Sequence, residues 1–195
     1  HKPRIERHLC NLTAQDRYLR FGYAATAEQI GRYVQGLDFE RDEIFGVFNR
    51  RLELVAMAHL AYSNAVEYQS CAEFGVSVME SARGRGYGAR LFDRAVMHAR
   101  NQGVQTMFVH ALSENAAMLQ IARNAGAHIE RDGAEAEAHL SLAPATLNTQ
   151  WAELVEEHMA QTNYQFKVHA RQLQDTFSRL QAIWLPRGGT AVLDS

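Results

Sequence analysis

Apolar side chains recur along this chain with two periods, one near two residues and one near 3.6, and the switches between them lay out strands and helices. Arg4 to Leu9 predicts a first strand. Thr13 is placed to cap a helix through Tyr18, Leu19, Arg20 and Phe21, and Thr26 to cap a second through Ile30 and Val34 that ends at Gly36. Ile44 to Phe48 and Leu52 to Tyr62 flank Asn49-Arg50-Arg51, the pattern of an antiparallel hairpin. Glu73 to Met79 reads as the next strand. From Gly86 to Arg100 the residues Leu91, Ala95, Val96 and Ala99 recur at helical spacing, with Gly103 just beyond the end. Thr106 to His110 is a buried strand by composition, and Ser113 or Asn115 opens a helix that closes at Gly126. Ala134 to Leu142 alternates strictly, with Glu135, Glu137, His139 and Ser141 on one face and Ala136, Ala138, Leu140 and Leu142 on the other.

After Pro144 the period changes again. Trp151, Val155, Thr162, Phe166, Ala170, Leu173, Phe177, Leu180 and Trp184 follow spacings of three, four or seven, a narrow helical stripe. The expected organisation is a domain over residues 1–144, a C-terminal helical extension over 145–186, and a mobile tail over 187–195. Aromatic side chains on that stripe are costly in water, so a cover is expected, and a second copy of the chain is the favoured one.

The run Arg83-Gly84-Arg85-Gly86-Tyr87-Gly88 falls between a strand and a helix. Without Cβ atoms in the way, backbone N–H groups can approach phosphate oxygens, and the helix N-terminus adds the equivalent of about half a positive charge. Arg83 and Arg85 add charge-assisted contacts. The spacing is not that of a dinucleotide fingerprint, and the Gly-Lys-Ser/Thr of a triphosphate loop is missing.

Charge and composition narrow the picture. Twenty basic against 22 acidic residues leave a net charge of −2, so no overall field argues for a nucleic-acid or membrane partner. Cys10 and Cys71 lack metal-ligand spacing, and the nine histidines form no ligand pair on a convincing element. No metal is expected. The polar start His1-Lys2-Pro3-Arg4 is unlike a signal peptide, no apolar run approaches the roughly 18 residues of a membrane span, and the thiols suggest a reducing compartment, so the cytoplasm is the expected location.

Arg83, Gly86 and Gly88 resemble motif A of the GNAT acyltransferases, Arg/Gln-x-x-Gly-x-Gly/Ala, which holds the pyrophosphate of CoA. The stretch from Asn115 to Gly126 is similar to that family's following helix, whose first Asn contacts the pantetheine arm. The resemblance spans residues 4 to 142 and is most specific from Ala72 to Gly126. Ala72-Glu73-Phe74-Gly75-Val76 and Arg17-Tyr18-Leu19-Arg20-Phe21 look like the catalytic module of bacterial protein-lysine acetyltransferases. The resemblance implies an α/β GNAT fold, a mixed and mostly antiparallel seven-stranded sheet flanked by helices, here with a C-terminal helical arm. It implies acetyl-CoA as co-substrate, held by Val76, Ser77 and Val78, by residues Arg83, Gly84, Arg85, Gly86, Tyr87 and Gly88, and by Asn115. By the same resemblance Glu73 is the general base that accepts the proton of an amine acceptor, which a base must remove at neutral pH because a free lysine has a pKa near 10.4. Along the strand Glu73, Gly75 and Ser77 share a face, and Gly75 leaves room there for the acceptor.

One departure matters. Where many family members carry a Tyr that protonates the leaving thiolate, this chain has Ala122. His110, Ser113 and Tyr87 are the substitutes. The expected acceptor is a protein lysine or another primary amine. A small-molecule amine and a non-catalytic acyl-CoA-binding module remain as alternatives, the latter motivated by Ala122.

Overall fold

A computed structural model describes residues 1–62, 70–145, 153–161 and 164. Three helices lead: α1 (Lys2–Cys10), α2 (Ala14–Phe21) and α3 (Ala27–Gln35). The strands β1 (Glu43–Phe48), β2 (Leu54–Tyr62) and β3 (Cys71–Val78) follow, then α4 (Tyr87–Asn101), β4 (Thr106–Leu112), α5 (Ala116–Asn124), β5 (His128–Asp132) and β6 (Glu135–Ser141). Together the strands form one sheet in the order β1-β2-β3-β4-β6-β5, antiparallel at every pairing except β3 with β4.

Local chemistry explains the boundaries. Thr13 Oγ1 accepts from the Asp16 N–H, and Thr26 forms a reciprocal capping box with Gln29. Gly22, at φ 77°, ends α2 in the left-handed conformation that glycine adopts without a Cβ clash.

Two layers of helix cover the sheet. On one face Ile5 and Leu9 of α1 and Ile30 and Val34 of α3 bury against Leu54 and Met57 of β2. On the other, Leu91, Phe92, Ala95 and Ala99 of α4 and Met118 and Ala122 of α5 pack on Ala58, Phe74, Met107, Val109 and Ala138. Phe74 and Phe92 meet edge to face at 5.0 Å, a geometry worth about 1 kcal/mol beyond the area it buries.

The predicted first strand is α1 instead. Ile5 and Leu9 stand four apart with His8 between, so all three fall on the stripe that α1 buries, and Pro3 sits in the first turn where its missing N–H costs nothing. The sheet has six strands among the described residues, not the predicted seven. β5, which carries one inward apolar residue, Ile129, was not predicted; it pairs with β6 across a turn at Gly133. Of the expected C-terminal extension, residues 153–161 are helical, and Glu153 accepts hydrogen bonds from His98 and Asn101 of α4. Trp151, Phe166, Phe177 and Trp184, like the tail over 187–195, lie outside the described residues. No described helix is long and apolar enough to cross a membrane.

Candidate active site

The parallel ladder between β3 and β4 closes only over Cys71↔Thr106, Ala72↔Met107 and Glu73↔Phe108. Beyond it β3 stays paired with β2 as far as Val78↔Ala56, and β4 stays paired with β6 as far as Leu112↔Glu135. The two central strands therefore fork, and from Phe74 onward the side of β3 that faces β4 has no strand partner. A cleft of about 620 Å³ opens in the fork, with Glu73, Gly75 and Val76 on one wall and Val109, His110 and Leu112 on the other. Glu73 stands where the fork begins and is exposed.

At the open end of β3 a 3-10 turn, Glu80–Ala82, delivers the chain into the glycine run. Gly84 and Gly86 take φ of 72° and 73°, and a Cβ added at either would meet nothing within 4 Å. Gly88 answers a packing need: its Cβ would stand 3.2 Å from Ile121 Cδ1 of α5. Thr13, Thr26 and Asn115 cap α2, α3 and α5, yet Gly86 gives α4 no side-chain cap, and no acidic residue lies in its first turn. Several N–H donors at the start of α4 are thus open to an anion from outside.

The other predicted site residues fall as follows. Val76 and Val78 pack on the α4 side of β3, partly buried, with Tyr87 beside them. The Ser77 side chain is buried on the opposite face, where its hydroxyl meets His8 Nε2 at 2.8 Å, so only its backbone can meet a ligand in the fork. His8 Nδ1 must donate to the Leu54 carbonyl, which leaves Nε2 to accept from Ser77. Burial holds His8 below the ordinary histidine pKa. Arg83 pairs with Asp16 of α2, and Arg85 reaches the Ser81 carbonyl at 3.5 Å. Asn115 Oδ1 accepts from the Met118 N–H, and its Nδ2 lies 3.5 Å from the Leu19 carbonyl, so its capping role is real and it also borders the cleft. Ala122 is wholly buried. Of the three substitute acids, Ser113 spends its hydroxyl on the Gly133 and Glu135 carbonyls and Tyr87 packs on the core, whereas His110 lines the cleft with Glu73.

The space beside Gly75 corrects an expectation. It is not open to an acceptor but holds the Arg20 guanidinium, whose carbon would lie 2.6 Å from a Cβ at position 75. Arg20 is the outer end of a polar chain that sequence reasoning did not assemble. Its Nη2 donates to Tyr33 Oη at 3.1 Å, Tyr33 Oη lies 2.8 Å from His59 Nδ1, and His59 Nε2 lies 3.1 Å from Oδ2 of buried Asp42. The carboxylate fixes the directions: His59 Nε2–H donates to Asp42, so Nδ1 accepts from the Tyr33 hydroxyl. Burial lowers the His59 pKa and raises that of Tyr33. Burial alone would raise Asp42, but hydrogen bonds from Arg41 and His59 outweigh it and hold its carboxyl below the usual value. One signal was visible in the sequence, since His59 interrupts the otherwise apolar run Leu54 to Ala61.

The model of the acetyltransferase (GNAT) family matches residues 7–127, and the chain belongs to that family. Among solved structures, the fold is similar to the GNAT domain of PAT from S. lividans, with TM-score 0.61 and 19% identity over 72% of this chain and 85% of that one. It is similar to a GNAT superfamily phosphinothricin acetyltransferase from Sinorhizobium meliloti in complex with acetyl-CoA, with TM-score 0.60 and 12% identity over 73% and 85%. A ribosomal-protein-alanine N-acetyltransferase from Brucella melitensis matches with TM-score 0.57 and 14% identity over 73% and 96%. Chemically, then, the protein is an acetyltransferase.

Proposed function

We infer that this chain transfers the acetyl group of acetyl-CoA to a primary amine, with a protein lysine as acceptor and Glu73 as general base. The observation that carries the reading is the fork, which opens directly at Glu73 and ends at the uncapped start of α4. Acetyl-CoA, bound by the similar S. meliloti enzyme, fits with its pyrophosphate on the amides of residues 84–88 and its pantetheine arm along the unpaired side of β3. The amine nitrogen attacks the thioester carbon, a C–N bond forms and the C–S bond breaks. Glu73 takes the amine proton, directly or through water, and CoA leaves as a thiolate. A backbone N–H near Gly75 or Val76 stabilises the intermediate oxyanion. With Ala122 buried, His110 is the cleft group best placed to protonate the thiolate.

Incubation of the purified protein with acetyl-CoA and a panel of amines, followed by CoA-thiol release, tests this. Turnover with lysine peptides is expected, and turnover with no acceptor would overturn it. A small-molecule amine is the second reading, favoured by Glu130, Glu135 and Glu137 along the β5–β6 wall of the cleft. A homodimer through the C-terminal helix is supported by Leu154, Val155 and Met159, all exposed, and a cytoplasmic location by the free thiols of Cys10 and Cys71.

A further inference from the structure

The geometry points to Arg20 as the anchor for a carboxylate that the acceptor carries close to its amine, so that the preferred acceptor is zwitterionic around the reacting nitrogen. This deepens the amine-transferase reading and rests on it.

Four observations converge. First, the guanidinium lies in the cleft directly over Gly75, which shares the Glu73 face of β3. Two residues along a strand span roughly 7 Å, so an amine delivered to Glu73 places a group a few bonds away within reach of Arg20. Second, the guanidinium is held in place: Tyr33 Oη accepts from Nη2, and the rings of Phe21 and Tyr33 lie 5.4 and 5.7 Å away. Tyr33 is itself fixed by His59, and His59 by Asp42. Such a file of partners defines an orientation before any ligand arrives, which is what a bidentate carboxylate contact requires.

Third, Arg20 pairs with no carboxylate among the described residues, and Nη2 to Tyr33 is the hydrogen bond it makes. Arg83 and Arg41, by contrast, hold Asp16 and Asp42. A half-buried guanidinium with spare donors in a ligand cleft matches an incoming anion. Fourth, the opposite wall has the other net sign: Glu130, Asp132, Glu135 and Glu137 line the same cleft across the fork and outnumber Arg131 there, so the cleft has a cationic side at Arg20 and a net anionic side along β5 and β6. A simple diamine would complement one wall and meet repulsion at the other. An amine with a nearby carboxylate complements both.

The carboxylate has two sources, a free amino acid or an acidic residue beside a lysine in a peptide. Paired acceptors separate them. L-lysine is compared with cadaverine, and a lysine peptide flanked by Asp with the same peptide flanked by Asn, using CoA-thiol release to obtain kcat/KM for each. The wild-type protein is expected to prefer the carboxylate member of at least one pair by tenfold or more, mostly in KM, and R20Q to collapse that ratio toward one. R20K, which keeps the charge and loses the fork, is expected to fall between. Should R20Q fail to fold, Y33F, which frees the guanidinium, is expected to reduce the same ratio several-fold. No preference in the wild type, or a preference that R20Q leaves intact, overturns the assignment. If no amine of any kind is acetylated, the transferase reading is the one that fails. Ligand-observed NMR of the same pairs on CoA-loaded protein then decides the anchor: Arg20-dependent binding of the carboxylate member supports it, and equal binding or none overturns it.

Discussion

Glu73 gains its position from register rather than from any special environment: it is the last residue of β3 to pair with β4, so its carboxylate stands where the strands part. Glu73→Gln keeps size and polarity and removes the proposed base. Its expected effect is a fall in kcat on the order of 10²–10⁴-fold, with acetyl-CoA affinity unchanged by calorimetry. Gly86→Ala acts differently, since φ of 73° at the head of α4 costs an L-residue about 1–2 kcal/mol. A lower urea midpoint and weaker acetyl-CoA binding are expected together. At Gly75 the clash is with the far end of a flexible side chain, so Gly75→Ala is expected to change stability by less than about 1 kcal/mol while displacing Arg20 and impairing acceptor use. The strand that carries Glu73 and the glycine turn that opens α4 were legible in the sequence because their patterns are local. Arg20, Tyr33, His59 and Asp42 were not, because they come together only once α2, α3 and β2 are packed, and residue spacing carries no record of that.

At the scale of elements, α2 has no fully buried residue, yet it touches both halves of the site. Asp16 in its first turn holds Arg83 of the glycine run, and Arg20 in its last turn enters the cleft. For Arg83 to contact a pyrophosphate it must leave Asp16, an exchange that costs at most about 1 kcal/mol for a partly exposed pair. Asp16→Asn is therefore expected to tighten acetyl-CoA binding by up to about fivefold, measured by calorimetry at low salt, and this gain is expected to fade as salt is raised. Thr13, Thr26 and the glycine at the head of α4 placed three helices correctly from sequence. The failures at α1 and β5 share a cause: short segments with only one or two inward apolar residues satisfy either period, and only their packing partners decide between them.

Across the whole molecule, stability should respond to pH through two histidines held neutral. His8 and His59 have folded pKa values below the ordinary 6.5 because burial disfavours their charged forms. Between that value and the lower folded one, the unfolded chain binds protons that the folded chain does not. The free energy of unfolding therefore falls as pH drops below about 6.5. Asp42 adds a second window lower down: its folded value lies below 3.8, so its contribution persists above 3.8 and is lost as pH falls through the folded value. Urea unfolding between pH 7.5 and 5 is expected to show the first decline, with a shallower slope in His8→Gln, and a flat profile would contradict it. Part of the layered architecture was readable from periodicity, since β6 alternates as its sequence does and α4 buries the stripe its spacing announced, whereas α1, which buries His8, was expected as a strand.

The fork ties these scales together, and a crystal structure with bound CoA examines it most directly. The expected result is a diphosphate within hydrogen-bonding distance of the amides of residues 84–88 and a thiol in the gap beside Glu73. A diphosphate bound elsewhere, with the glycine turn facing protein or bare solvent, would contradict the account.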